Sequence, residues 1–157
     1  SARSDYSWTH PNRRYFHMGF YLPSIRSDDL PEVIIAVDTS GSVSHAELDQ
    51  FAAEVSAILE YHEMTIRLLY CDVRVTRVET FQRQDLPIAL CPKGGGGTDF
   101  RPVFQWVEQQ GISPECLIYL TDLECSRFPD EPFYPVLWAR IGSAGSQPPF
   151  GEVIEIK

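Results

Sequence analysis

The sequence predicts an α/β domain with a mostly parallel central sheet, one antiparallel edge strand and helices on both faces. Two stretches carry most of this expectation: "EVIIAVD" and "ECLIYLTD" are apolar runs of strand length without alternation, as expected of strands covered on both sides. A third observation is order. Strand, helix, strand pair, helix, strand, strand is the alternation that builds a layered sheet with helical crossovers.

The first strand is centred on Val33 to Val37. The helix behind it, "SHAELDQFAAEVSAILEYH", opens with a capping box of Ser44 and Glu47. Leu48, Phe51, Ala52, Val55, Ile58 and Leu59 then trace one face. "MTIRLLYCD" and "VRVTRVETF" follow as two strands joined tightly around Asp72, which predicts a hairpin at one edge. The glycine run "CPKGGGGTDF" comes next. Beyond it Phe100, Val103, Phe104 and Val107 recur at helical spacing, with Asp99 as expected N-cap, Pro102 in the first turn and Gly111 as stop. After "ECLIYLTD", a proline-spaced loop from Phe128 to Pro135 leads to "VLWAR". The loop "GSAGSQPPFGE" then leads to a short last strand, "VIEI".

Residues 1–30 are polar, aromatic and irregular, and are expected to form an N-terminal strap or junction segment outside a domain spanning 31–157. At 157 residues the chain fits one domain with a real core. Its 13 basic against 22 acidic residues give a net charge of −9, which argues against nucleic acid or an anionic membrane as partner. No apolar run approaches the ~18 residues of a membrane span, and the first ten residues do not resemble a signal peptide. The four cysteines, at 71, 91, 116 and 125, follow no zinc-ligand spacing. They read as reduced, mostly buried thiols, and the chain is expected to be cytoplasmic.

Enzyme signatures fail one by one. "GGGGTD" lacks the Gly-Lys-Ser/Thr of a phosphate-binding loop, and "HEMTI" has Ile66 where a zinc-peptidase helix needs its second histidine. "DTSGS" lacks the second acid of an aspartyl nucleophile site, and no nucleophile elbow is visible. Catalysis by this chain alone is not expected.

In an open α/β sheet, ligands bind beyond the carboxyl ends of the strands. Two acids stand immediately after strands: Asp38 and Asp122. Asp38 opens "DTSGS", where Asp38, Ser40 and Ser42 fall at every second position and Gly41 permits a tight turn. Thr98, at the end of the glycine loop, adds another hydroxyl. Hydroxyls and carboxylates are hard oxygen donors, too few for a calcium cage but suited to a small octahedral cation that keeps water. Turn chemistry is the bland alternative for Asp38, a helix cap for Asp99 and a hairpin turn for Asp72. Arg13 and Arg14 read as solvated or locally paired.

"DTSGS" with a later threonine and a later aspartate resembles the metal-ion-dependent adhesion site of von Willebrand factor A domains. The resemblance implies a Rossmann-like, three-layer fold. It also implies that Asp38, Ser40, Ser42, Thr98 and Asp122 bind Mg²⁺ or Mn²⁺, directly or through water. The ion would engage an Asp or Glu of a protein partner. "WTHPNRRY", "AVDTSGSVS", "GGGGTDFRPVF", "YLTD" and "PVLWA" look like the bacterial von Willebrand A-like domain that follows a metallopeptidase-like domain in longer proteins. That implies, as an alternative, a regulatory or accessory role in a larger hydrolase. One stretch departs from the pattern: where a small, glycine-containing segment is expected after "YLTD", this chain has "LECSRFP", placing Glu124 and Cys125 in the third loop. The glycine run is then explained as a backbone that passes close to the ion and presents Thr98.

Overall fold

The structure is a computed structural model that describes residues 30–40, 43–92 and 95–156. The expected strap, with Arg13 and Arg14, lies outside the described residues apart from Leu30. In chain order the elements are β1 (Glu32–Asp38), α1 (His45–Tyr61), β2 (Thr65–Cys71), β3 (Val75–Phe81), a 3-10 turn (Arg83–Asp85), α2 (Arg101–Gln109), β4 (Cys116–Thr121), β5 (Val136–Ile141) and β6 (Glu152–Ile156). The strands form one six-stranded sheet in the order β3-β2-β1-β4-β5-β6. All pairings are parallel except β2–β3. The α/β architecture and its antiparallel edge follow the sequence reading.

The non-alternating apolar runs have a direct cause. In β1, Val33, Ile35 and Val37 join one core with the α1 residues Leu48, Phe51, Val55 and Leu59. Ile34 and Ala36 point the other way, into a second core with Phe100, Val103 and Val107. A strand packed on both faces has no position left for a polar residue. β3 is the contrast: it has only exposed and half-buried residues and carries Arg77 and Glu79, which suits an edge that must not recruit another strand.

Local chemistry sets the helix ends. Ser44 and Glu47 form the expected capping box: the Glu47 N–H donates to Ser44 Oγ at 3.3 Å, and the Ser44 N–H to Glu47 Oε1 at 3.0 Å. α2 differs by one residue from the reading, because its N-cap is Phe100, in helical conformation without a side-chain cap bond. Asp99 still serves the first turn, accepting from the Arg101 N–H at 3.0 Å. Its carboxylate is instead drawn into a bidentate pair with the Arg101 guanidinium, at 3.0 and 2.8 Å. Asp72 is a turn residue as expected, accepting from the Arg74 N–H at 3.1 Å. Gly111, at φ +66, ends α2.

The crossover from β4 to β5 carries no helix. Residues 122–135 form an extended strap instead, anchored where Phe128 packs on Phe100 and Trp138 with ring centroids 5.0 and 5.5 Å apart. An aromatic core of Phe100, Phe104, Tyr119, Trp138 and Phe150 fills that face. The four cysteines are all free. Cys71 and Cys116 are buried, Cys125 is half-buried and Cys91 exposed, so only part of the expected burial holds. Burial pushes both buried thiols up to about 12, which makes them inert.

Candidate metal site

The strand order reverses at β1. The chain leaves β1 through α1 to β2 on one side, then returns to β4 on the other. Side chains just past the ends of β1 and β4 therefore face the crevice that the two diverging connections leave open. Asp38 is the last residue of β1 and Asp122 the first after β4. Parallel register aligns Val37 with Leu120, and so brings the two acids to the same edge.

Asp38 is 1 % exposed. A carboxylate there needs partners, since desolvating a charge without them is prohibitive. Its Oδ2 accepts from the Thr121 Oγ1 hydroxyl at 2.6 Å, and its Oδ1 from the Ser40 N–H at 2.9 Å. Thr121, fully buried, also accepts from the Leu123 N–H at 3.0 Å, so one hydroxyl ties the end of β1 to the turn after β4. Thr39 is buried, and its Oγ1 has no hydrogen-bond partner among the described residues.

The third loop departs from helix and strand geometry. Leu123, wholly buried, sits at φ +61, a left-handed conformation that costs a bulky residue strain. A glycine would take it freely, as the smaller stretch anticipated after "YLTD" would have done. Gly145, at φ +100, holds it from above: a Cβ there would meet the Asp122 carbonyl and would come within 2.8 Å of the Leu123 carbonyl group. The Ser146 N–H donates to Leu123 O at 2.7 Å.

Asp122 Oδ1 accepts from the Glu124 N–H at 3.0 Å. The Glu124 carboxyl is raised above the usual carboxylate range, first by its hydrogen bond with Asp122, then by the Asp122 charge, with the Asp38 charge adding to it. Negative charge is thus concentrated at this edge. Ser40 lies beside it, half-buried, and Ser42 is outside the described residues.

Thr98 reaches the same end of the sheet by a different route. The Asp99 N–H donates to Asp72 O at 3.0 Å, and the Cys125 thiol to Thr98 O at 3.2 Å. Cys125 therefore does not merely fill the third loop; it fastens it to the Thr98 loop. Cβ atoms at Gly96 and Gly97 would stand 3.4 Å from Asp72 Oδ2 and Val73 Cγ1, so the glycine backbone runs along the β2–β3 turn at ordinary contact distance.

Asp38, Asp122 and Glu124 are brought to one edge, and the Thr98 backbone is tied to the loop beside them. Among the described residues, however, no group of three or more His, Cys, Asp or Glu side chains is placed to hold a metal ion. A cation here would rest on two carboxylates and several hydroxyls. That donor set fits a small hard ion. The buried Thr39 hydroxyl, without a partner among the described residues, and the crowding of the Glu124 carboxyl by Asp122 are both features such a charge would relieve. The residues that sequence reasoning missed are Thr121 and Gly145. Thr121 had one signal, its place before the strand-end acid; Gly145 had none, because its role is set by a loop distant in sequence.

The fold and this strand-end crevice define a von Willebrand A-type domain. The chain belongs to the VWA-like domain family (DUF2201), whose profile matches residues 33–157. It is also similar to an uncharacterized protein of Thermotoga maritima, 36 % identical over 115 residues. That match covers 71 % of this chain but only 27 % of the relative's length. No helix among the described residues is long and apolar enough to cross a membrane.

Proposed function

We propose that this domain is a divalent-metal-binding protein-interaction module. In this reading Asp38, Ser40, Ser42, Thr98 and Asp122 hold Mg²⁺ or Mn²⁺, and an Asp or Glu of a partner completes the coordination. What supports it most is the Thr121–Asp38 hydrogen bond at 2.6 Å, which ties the acid ending β1 to the end of β4 at the switch point of the sheet. The bound ion would supply positive charge for a carboxylate. With neutral hydroxyls as most of the donors, it would remain electrophilic toward an outside anion.

This chain's own residues do the rest. Asp38 is held rigidly by Thr121 and the Ser40 N–H, and the Thr98 loop is clipped to the third loop through Cys125. One carboxylate cannot supply specificity, so the surrounding loops must read the partner's flanking residues. The chain's net charge of −9 opposes an acidic partner at long range, but salt screens that beyond ~8–10 Å while the ion acts at contact.

A second reading is an accessory domain of a larger hydrolase of metallopeptidase type. What supports an accessory role is that the match covers only 27 % of the length of the Thermotoga relative; the metallopeptidase type rests on the sequence resemblance alone. The two readings agree on the metal. Calorimetric titration of Mg²⁺ and Mn²⁺ into the chain and into Asp38→Ala and Thr98→Ala tests it, with circular dichroism confirming fold. Binding is expected in the parent and lost or strongly weakened in both variants. Equal binding by all three would refute the site, and a partner whose affinity ignores EDTA would place its interaction surface elsewhere.

A further inference from the structure

A groove of about 1120 Å³ runs between α2 and the strap that replaces a helix in the β4–β5 crossover. It is larger than the ~300–1,000 Å³ of ordinary small-molecule pockets. Its geometry follows from topology. A parallel crossover must return from the top of one strand to the bottom of the next, so the strap descends the face of the sheet. At the top the Phe100 N–H donates to Arg127 O, and at the bottom the Leu117 N–H donates to Pro135 O. α2 descends beside it, leaving a trough the length of a strand. β4 has six residues, about 20 Å at ~3.3 Å each, so roughly six residues of extended peptide would span the trough.

The chemistry of the lining is one-sided. Glu108, Glu115, Asp130 and Glu131 border the groove against the single cation Arg101. That arginine is already paired with Asp99 at 2.8 Å. Phe133 projects fully exposed between Pro132 and Pro135, beside the half-buried Tyr134. Four acids, no uncommitted cation in the lining and an unshielded aromatic are what an extended basic segment with an apolar anchor requires. A second copy of this chain is a poor occupant, since each copy carries −9.

We propose that this groove docks an extended, arginine- or lysine-bearing segment of a partner protein, with an aromatic or proline anchor set against Phe133. Glu108, Asp130 and Glu131 would pair with its cations. The contact is independent of the metal. It goes beyond the adhesion-site reading, which calls for an acidic partner residue at another place on the domain.

A random peptide library of roughly eight residues, long enough for the trough, is displayed on phage and selected against the full chain in EDTA. Enriched sequences are expected to be basic with an aromatic or proline anchor. A labelled peptide of the enriched sequence should bind at least tenfold more weakly to Glu131→Lys and to Phe133→Ala, both surface changes compatible with folding. Affinity should fall with salt and ignore Mg²⁺. Selection that yields nothing, or acidic sequences, overturns the proposal, as do unchanged affinities in both variants. Sedimentation showing self-association lost in Phe133→Ala would overturn it in favour of a second copy as occupant. Binding strengthened tenfold or more by Mg²⁺, and losing that gain in Asp38→Ala, would return the interaction to the metal site.

Discussion

Gly145→Ala probes how the site loop is held. At φ +100 an L-residue is strained, which costs about 1–3 kcal/mol. The added Cβ would also meet the Asp122 carbonyl and come within 2.8 Å of Leu123 O and C. These are backbone atoms that cannot swing aside, and overpacking of this kind costs about 1–3 kcal/mol more. Separating the loops also weakens the Ser146 N–H to Leu123 O hydrogen bond of 2.7 Å. The sum is about 2–6 kcal/mol, a shift of roughly 1–3 M in urea midpoint at an m-value of about 2 kcal/mol/M. Gly142→Ala is the internal control. It has φ +78 in the same connection but open space around it, so it should show the backbone strain alone. Urea melts in EDTA should therefore rank the parent above Gly142→Ala above Gly145→Ala. Mg²⁺ titration should show weakened binding only in the last, because only there is Asp122 displaced. If the two alanine variants melt together, or Gly145→Ala lies within ~0.5 kcal/mol of the parent, contact between these loops does not hold the third loop in place.

Thr121→Val keeps shape but removes the donor to buried Asp38; a loss of about 1.5–3 kcal/mol in urea unfolding is expected, and an unchanged midpoint would mean Asp38 is satisfied without it. Glu124→Gln removes a carboxyl whose folded-state pKa is raised by Asp122, so its ionisation costs stability as pH rises above the ordinary glutamate range. In EDTA the variant should therefore melt later than the parent at pH 7 and lose that advantage near pH 4, where the parent's Glu124 is protonated; an equal gap at both pH values would contradict the raising of Glu124 by Asp122. Asp99 is held below the usual carboxylate range, first by its hydrogen bond from Arg101. Its contribution is present above the unfolded pKa and lost as pH falls through the folded value. Asp99→Asn should thus be less stable than the parent at pH 7, with the gap closing below about pH 4. A pH-independent gap would show that the charge of the Asp99 carboxylate is not what its pairing with Arg101 contributes.

The amino-acid order determined which segments are strands and helices, because burial on both faces leaves a composition that local reading recovers. Val33–Val37 and Cys116–Leu120 had to be central for want of any polar position, and the Ser44–Glu47 box started α1 from residues three apart. It also placed Asp38 and Asp122 at strand ends, where the fold class puts ligands. What it could not determine was anything created by apposition. Thr121 reaches Asp38 across 83 positions, Cys125 meets the Thr98 carbonyl across 27, and Gly145 fits only because Leu123 turns left-handed beneath it. The groove beside α2 belongs to the same class: proline spacing marked residues 128–135 as a loop, but only packing of Phe128 against the aromatic core laid it down as a strap parallel to the helix. Periodicity and capping are short-range forces written in neighbouring residues. Loop-to-loop contacts are long-range, and depend on the strand order and register that the assembled sheet alone supplies.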